Sequence, residues 1–431
     1  MTEEFLHYVW KYRNFDLRHL QTTEGESLEI LRPGEHNSDS GPDFFDARIR
    51  IGQTVWAGNV EIHLRSSDWN RHFHQSNPAY NNIILHVVHE SDQLIFDKSG
   101  KPFPALELTG RIHPDVYRKY LSFRDSPHWI PCGKQAGEIS NGLLELWLER
   151  LLVERLERKS ARIADSLALN QNDWEASFYT VLARNFGFRI NSLPFEMLAK
   201  CTPYTLLSHY RDNLFQLEAL LFGQAGMLDD YFREPYVQRL QSEYRFLAHK
   251  HKLKGMEVSL WKFLRLRPLN FPTVRIAQFA GLMHASEHLF SKILELPDLI
   301  TLKKIFSSNL SAFWSKHYTF GSDSPESSKE LGDESVENIL INTVAPFLFV
   351  YGRTKGEGSP VDYSIELLSK IKPENNHIIR HWKDIGIVPD SGGRSQALFE
   401  LKESYCGPKR CLECVIGRFL LKNEVKDTTN E

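Results

Sequence analysis

The predominant period of the hydrophobic pattern changes near residue 126, and this change limits the folds that the chain can adopt. Before it, short segments that are β-branched or alternate apolar with polar residues are separated by turn signals such as Arg32-Pro33-Gly34. After the connector at residues 126–133, long segments carry apolar residues at a helical spacing. The sequence therefore predicts an α+β fold, in which a small α/β domain with a mixed sheet precedes a large all-helical domain.

The same patterns predict the individual elements. Apolar residues from Glu3 to Phe15 have a helical spacing, and Thr2 can cap the start of this helix. Strands are predicted at residues 27–31, 44–51, 54–64, 82–89, 94–96 and 105–108. Helices of the second domain are predicted at residues 142–169, 173–187, 194–200, 205–223, 234–251 and 274–290.

The length and composition indicate a globular protein with more than one domain. A chain of 431 residues exceeds one ordinary core, and its hydrophobic fraction of 41% is that of a folded protein. We expect an α/β domain at residues 1–125, a helical domain at residues 138–345 and a helical C-terminal region with a cysteine cluster at residues 346–431. The net charge of −3 argues against a surface covered in basic charge but permits a local basic groove.

The N-terminal sequence MTEEFLHYVW has acidic residues where a secretory signal would carry basic ones. No apolar run reaches the roughly 18 residues that a membrane span needs. We therefore expect a cytoplasmic protein without a membrane partner, and the sequence leaves its oligomeric state open.

Potential metal ligands are concentrated between residues 41 and 90. Alternation along a predicted strand turns Glu61 and His63 to the same face, and Asp43 precedes the neighbouring strand. Two carboxylates suit Mg²⁺ or Mn²⁺, and His63 could position or deprotonate a water that attacks a phosphodiester. In the alternative interpretation, Asp43 caps a turn while Glu61 and His63 are solvated on the open face of the sheet.

Four further histidines follow, namely His72, His74, His86 and His89. A zinc site made from them would support a different hydrolase, but His86 and His89 face opposite sides of a strand and no tetrahedral site collects all four. We expect His86 to be buried and hydrogen-bonded. His72 and His74, together with Arg65 and Arg71, are candidates for contacting a substrate phosphate.

Three of the five cysteines form the pattern Cys406-x4-Cys411-x2-Cys414. Thiolates at this spacing bind one metal centre, and Cys132 in the connector is the natural fourth ligand for zinc or an iron–sulfur cluster. The alternative is a set of reduced cysteines without metal. Cys201 stands apart, in a helical context, and is expected to be a small buried residue.

Several segments of the sequence resemble those of an uncharacterised bacterial family that is defined by a domain of unknown function. They are GPDFFDARI, GNVEIHLRSSDW, LHVVHE, RLRPLNFPTVRIAQFA and YCGPKRCLECVIG. The resemblance spans nearly the whole chain, and it implies no particular activity.

A second resemblance concerns the chemistry. A helix, a strand that bears Pro42-Asp43, a strand that bears Glu61-Ile62-His63, then a helix and a strand are similar to the core of the PD-(D/E)XK nuclease superfamily. This resemblance implies that Asp43 and Glu61 hold a divalent ion. His63 stands where that superfamily has a lysine that helps to activate water, and neutral imidazole can act as a base or ligand but supplies no fixed positive charge.

The cysteine layout, with one early and three late cysteines, resembles the iron–sulfur clasp of some helicase-associated and CRISPR-associated nucleases. Taken together, these patterns predict a nuclease-like α/β domain and a divalent-metal-dependent nuclease or phosphodiesterase that acts on DNA or RNA. The alternative is a non-catalytic binding or scaffold protein that keeps the nuclease-like fold.

Overall fold

A computed structural model describes residues 1–37, 39–96, 100–307 and 309–422. The chain forms two compact units, Met1–Trp147 together with Leu401–Glu431, and Leu148–Glu400. The first unit contains a mixed sheet and the second is mostly helical, so the predicted α+β class is confirmed. The segment that begins at Leu401 belongs to the first unit, whereas the sequence pattern predicts a separate C-terminal region at residues 346–431.

The sheet of the first unit has the strand order β1-β3-β4-β5-β6, and β2 pairs with β3 beside β1. Strands β1, β2 and β4 are antiparallel to β3, whereas β5 is parallel to β4 and β6 is parallel to β5. The strands are β1 (Leu28–Arg32), β2 (Glu35–His36), β3 (Phe44–Ile51), β4 (Thr54–Arg65), β5 (Ile83–Glu90) and β6 (Ala105–Glu107). The strand predicted at residues 94–96 is reduced to an isolated bridge between Phe96 and Pro102.

Helix α1 (Glu3–Lys11) packs against β4 and begins where the sequence predicts. The side chain of Thr2 accepts a hydrogen bond from the Phe5 N–H, which satisfies one free donor of the first turn. The helix ends earlier than the predicted Phe15, because Arg13 has a left-handed backbone with φ 51°. Its apolar face is buried, and the indole N–H of Trp10 donates to the Pro33 carbonyl.

Two more helices of the first unit precede the helical unit in the sequence. They are α2 (Asp68–Arg71), in the crossover between the parallel strands β4 and β5, and α3 (Pro114–Arg124). Short 3₁₀ turns at His74–Ser76 and Pro78–Tyr80 continue the crossover. The crossover therefore carries the chain past the ends of β4 and β5, where the histidines lie.

The long helix α4 (Asn141–Leu169) leads into the second unit, whose core is built from aromatic and aliphatic side chains on many short helices. These helices are α5 (Trp174–Phe186), α6 (Ser192–Cys201), α7 (Tyr204–His209), α8 (Leu214–Gln224), α9 (Pro235–His251), α10 (Pro272–Ala285), α11 (Leu289–Leu294), α12 (Leu299–Ile305), α13 (Asp333–Ile339), α14 (Ala345–Lys355), α15 (Gly358–Lys370), α16 (His377–Asp384) and α17 (Gly392–Glu400). A small hairpin of β7 (His317–Thr319) and β8 (Ser322–Asp323) interrupts them.

The chain returns to the first unit through a π-helical segment at Leu401–Cys406, and α18 (Val415–Lys422) follows. Among the helices of the described residues, none combines the length and the apolar character that crossing a bilayer requires.

Candidate metal centre

Asp43 and Glu61 lie side by side where β3 and β4 pair. The Asp43 N–H donates to Glu61 Oε2 at 3.2 Å, and the N–H of Ile62 donates to Asp43 Oδ2 at 2.9 Å. The backbone near Asp43 therefore binds the Glu61 carboxylate, and the backbone next to Glu61 binds the Asp43 carboxylate. Glu61 is only 4% exposed, and the site thus contains one buried carboxylate and one partly open carboxylate.

Three imidazoles meet beside this pair. The ligand atoms of His63, His72 and His74 all lie within 4.8 Å of one another, the one such group of metal-binding side chains found in the described part of the chain. His63 Nε2 is 3.2 Å from His72 Nδ1, and His74 Nε2 is 3.3 Å from Glu61 Oε1. Glu61 Oε1 also lies 3.7 Å from His63 Nε2, so the carboxylate and the imidazoles form one cluster.

The crossover explains how His72 and His74 reach β4. His72 follows the last residue of α2, Phe73 has a left-handed backbone with φ 59°, and His74 begins a 3₁₀ turn. Both imidazole rings come to within 5.0 and 5.2 Å of the His63 ring, measured between centroids. The reversal at Phe73 therefore allows residues two apart in a non-strand segment to contact the same imidazole.

His86 lies behind His63 on the same face of the sheet. In the parallel pairing of β4 and β5, Glu61 is opposite His86, and His63 Nδ1 shares a hydrogen bond of 2.9 Å with His86 Nε2. His86 is fully buried and packs against Trp69, with ring centroids 5.3 Å apart. His86 is thus the buried hydrogen-bonded histidine that the sequence predicts, and it orients His63. His89, three residues on, points from the other face of the strand.

The electrostatics of the cluster follow from burial. Burial raises the pKa of Glu61 to about 9, and the charge of Asp43 adds to this effect. Burial and the neighbouring imidazoles lower the pKa of His63 to about 2, and burial lowers the pKa of His86 to about 3. His63 and His86 are therefore neutral near pH 7, and the neutral imidazole is the form that binds metal ions.

Helix α1 contributes residues to this site that the sequence pattern did not indicate. His7 Nε2 lies 3.3 Å from Asp43 Oδ2, and its ring is 5.4 Å from that of His36 on β2. Burial raises the pKa of Glu3, and the charges of His72 and Asp43 also act on it, so Glu3 belongs to the same electrostatic site. Glu3 and His7 are four apart, a spacing that places both on one helix face and that could have indicated a shared role.

Tyr80, which belongs to the crossover, packs against the cluster. Its ring stacks on His74 with centroids 3.9 Å apart. Burial and the charges of Glu61 and Asp43 raise the pKa of Tyr80 to about 12, so its hydroxyl keeps its proton and can donate a hydrogen bond.

The two arginines that are candidates for phosphate contacts lie at the exposed edge of the site region. Arg65 is 3.7 Å from Glu90, and Arg71 is 3.0 Å from Asp68. Both side chains are more than half exposed, so each is paired with a carboxylate and still accessible to solvent.

The residues present fit a divalent transition-metal ion. Two nitrogen or oxygen ligands that are each about 2.0–2.2 Å from one ion lie roughly 2.9–3.6 Å from each other. The separations of 3.2 Å between His63 and His72 and of 3.3 Å between His74 and Glu61 fall in this range. In addition, the buried Nε2 of His74 makes no hydrogen bond among the described residues, although it lies close to Glu61. A ligand lone pair is therefore available at this position.

The family to which this chain belongs can now be stated. The model of the family described as protein of unknown function (DUF2851) matches residues 3–377. The chain belongs to this family. The match confirms the resemblance in the sequence to an uncharacterised family and covers all residues of the histidine cluster. No curated protein and no solved structure matches the chain.

The match to DUF2851 ends before the three late cysteines, which lie in the segment after Leu401. Cys406, Cys411 and Cys414 are buried, and Cys132 of the connector is half-buried in the same unit. All four are free thiols. Cys201, for which the sequence predicts burial, is exposed, because it is the last residue of α6 and faces solvent at the end of that helix.

Proposed function

We propose that the protein is a divalent-metal-dependent phosphodiesterase that acts on nucleic acid as a nuclease. The observation that carries the proposal is the convergence of two carboxylates, Asp43 and Glu61, with three imidazoles beside the pairing of β3 and β4. Mixed carboxylate and histidine clusters of this kind, in which one acid is buried, occur where proteins hold catalytic metal ions.

In this proposal His63, His72, His74 and Glu61 hold the ion, and Asp43 completes the ligand set from the open side. Carboxylates suit Mg²⁺ and Mn²⁺, whereas imidazoles suit transition metals, so the mixture favours Mn²⁺ over Mg²⁺. When bound, such an ion stabilises charge on a phosphate and lowers the pKa of a bound water.

The surrounding residues have distinct tasks. His63 is almost fully buried and its Nδ1 is held by His86, which leaves Nε2, 3.2 Å from His72 Nδ1, to bind the ion, so it suits a ligand better than the water-activating base that the sequence suggests. His7, which lies beside Asp43, is the imidazole that can accept a proton from a water near that carboxylate. His86 fixes the orientation of the His63 ring.

The order of elements supports a nuclease in particular. Helix α1, the antiparallel strands β3 and β4 with Asp43 and Glu61 at their adjoining ends, the crossover and the parallel strand β5 follow the order expected of the PD-(D/E)XK core. This support is an analogy of fold, and the chemistry depends on the site itself.

The surroundings of the cluster suit a nucleic-acid substrate. Phe73 lies between the two crossover histidines and is 70% exposed, which leaves its ring free to stack on a base. Arg65 and Arg71 offer accessible guanidinium groups for backbone phosphates. An exposed aromatic ring and two arginines beside metal ligands are the features that a single-stranded or frayed end would contact.

The proposal is tested with the purified full-length chain, Mn²⁺, and single- and double-stranded DNA and RNA. We expect cleavage of at least one substrate, and we expect Asp43→Ala and Glu61→Ala to lose at least about 100-fold in rate, since removing even an outer partner of a metal ligand costs about 10–100-fold. Glu29→Gln, which changes an exposed carboxylate of β1, is the matched control and should keep full activity.

Cleavage that persists in both the Asp43→Ala and the Glu61→Ala variants would rule out this centre as the catalytic site. Binding of Mn²⁺ and nucleic acid without cleavage of any of the four substrates would favour the alternative, a non-catalytic binding or scaffold protein.

A further inference from the structure

The first unit contains a second cluster of potential ligands, the four thiols of Cys132, Cys406, Cys411 and Cys414. Cys132 immediately precedes the 3₁₀ turn Gly133–Glu138, and Cys406 is the last residue of the π-helical segment. Cys411 and Cys414 lie in the turns that lead into α18. Four cysteines from two distant parts of the chain thus belong to one unit and form no disulfide.

Two lysines attach the late segment to the early one. Lys402 Nζ donates to the Trp129 carbonyl at 2.6 Å and lies 4.6 Å from the centre of the Trp129 ring. Lys409 Nζ donates to the Arg124 carbonyl at 2.7 Å. These contacts bring the segment with the three late cysteines against the connector that carries Cys132.

Three of the four thiols are buried, and the fourth, Cys132, is half-buried. The late cysteines have the spacing C-x4-C-x2-C, and thiols at such a spacing are typical of metal sites. The two lysine contacts place Cys132 in the same region of the unit.

Cys414 stands directly before α18, and its carbonyl accepts a hydrogen bond from the Arg418 N–H at 2.9 Å. The start of a helix favours an anionic thiolate. Gly417 allows the first turn of α18 to pack closely on Cys411, because a Cβ at this position would lie 2.2 Å from the Cys411 carbonyl oxygen.

Cationic side chains surround the cluster and match an anionic occupant. Lys402 lies four residues before Cys406, Lys409 lies between Cys406 and Cys411, and Arg418 lies four residues after Cys414. The buried Nε of Arg418 has no hydrogen-bond partner among the described residues. Four thiolates around a divalent ion or an iron–sulfur cluster carry a net negative charge, which these cations would balance.

We infer that Cys132, Cys406, Cys411 and Cys414 bind one metal centre as thiolates and thereby join the segment after Leu401 to the α/β domain. Each thiol releases its proton when the centre binds. The centre is structural, because all four positions are taken by protein ligands and none remains for a substrate.

Zinc and an iron–sulfur cluster share this ligand chemistry, and the spacing of the sulfur atoms bears on the choice. Four sulfurs on one zinc ion lie roughly 3.8 Å apart, given a bond of about 2.3 Å. In the described part of the chain only the three histidines bring their ligand atoms within 4.8 Å of one another, so no three of these sulfurs are that close. A cluster, in which each thiolate binds a different iron atom, accepts the wider spacing.

Element analysis of the full-length chain, purified with and without oxygen, tests the inference. We expect about one zinc per chain, or iron with acid-labile sulfide and visible absorption, and a Cys411→Ser/Cys414→Ser double variant should lose it. Cys201→Ser, which removes the exposed fifth cysteine, is the matched control and should keep the full content. His72→Ala distinguishes the two sites, since it should leave the thiolate-bound metal in place.

A measurement on the unaltered protein covers the case in which the double variant does not fold. Titration with an organic mercurial should release the metal as the buried thiols react, in proportion to the thiols consumed. Zinc and iron contents near zero in both preparations, or a content that the double variant and the mercurial both leave unchanged, would overturn the inference. Neither result would bear on cleavage by the histidine cluster, which is measured separately.

Discussion

His63 Nδ1 lies 2.9 Å from His86 Nε2, and this contact between adjacent parallel strands fixes the ring that stands at the centre of the histidine cluster. The second nitrogen of His63 faces His72, so a single buried imidazole connects the sheet to the crossover. The orientation of the proposed metal ligand His63 therefore depends on a residue that does not itself belong to the proposed ligand set.

The first prediction concerns His86 as a positioning residue. His86→Ala should weaken Mn²⁺ binding by about 10–100-fold, because partners that orient a ligand histidine typically contribute that much to metal affinity. Titration calorimetry with Mn²⁺ measures the effect. His128→Ala, which alters an exposed histidine of the same unit, should bind Mn²⁺ as the wild type does. Equal affinities for His86→Ala and wild type would show that the contact has no role in metal binding.

Phe73 provides the second prediction. Phe73→Ala should reduce the affinity for single-stranded nucleic acid by about 1–3 kcal/mol, which is the contribution of one base stacked on an aromatic ring. Fluorescence anisotropy with a labelled oligonucleotide gives the affinity, and Mn²⁺ binding should be unchanged. Phe96→Ala removes another exposed ring of the unit and serves as the control. If the two variants bind alike, the ring of Phe73 does not contact bases.

The third prediction concerns Glu218, a fully buried carboxylate in the core of the helical unit. Tyr236, Ser311 and Trp314 donate hydrogen bonds to it, yet burial outweighs them and raises its pKa from 4.5 to about 7. The folded chain thus holds this proton more tightly than the unfolded chain. The resulting stability is fully present below pH 4.5 and is lost as the pH rises through about 7.

We therefore expect Glu218→Gln to flatten the dependence of the unfolding free energy on pH by about 3 kcal/mol between about pH 4 and pH 8. Urea unfolding of both proteins across this range gives the difference, in which the other titrating groups cancel. Glu295→Gln, a change at an exposed position of the same unit, should run parallel to the wild type. A Glu218→Gln curve that also ran parallel would contradict the expectation.

The fourth prediction tests the close approach at Gly417. Gly417→Ala should destabilise the first unit by about 1–3 kcal/mol through overpacking and should lower its thiolate-bound metal content. Gly142→Ala is the matched control, because nothing lies within 4 Å of a Cβ at that position. Thermal unfolding and element analysis of both variants provide the comparison. Retention of the wild-type metal content and stability in Gly417→Ala would show that α18 can shift without disturbing the cysteines.

The sequence predicts the local geometry of the site better than its long-range geometry. Period-two alternation suffices to place Glu61 and His63 on one face of a strand, but it does not predict that both faces of β4 are buried from Val60 to His63. The position of His86 opposite Glu61 depends on the parallel register of β4 and β5, which a crossover sets and which no local pattern encodes.

The positions of the crossover histidines could not be predicted either, and the reason is different. His72 and His74 reach the same imidazole because Phe73 adopts a left-handed backbone, and an aromatic residue gives no sequence signal for that conformation. The early end of α1 has the same origin in the left-handed Arg13. The fold class follows from hydrophobic periods along the chain, whereas these single backbone angles decide which polar side chains meet.

The chain leaves the first unit after Trp147 and re-enters it at Leu401, with the whole helical unit in between. On the ribosome, the sheet and α1 therefore emerge long before the segment that completes their unit. Because domains generally fold as units during synthesis, the helical unit can fold before the segment from Leu401, which completes the α/β unit, has been synthesised. A ribosome that stalls just after Glu400 would release a polypeptide with the whole of its larger unit and an incomplete smaller one.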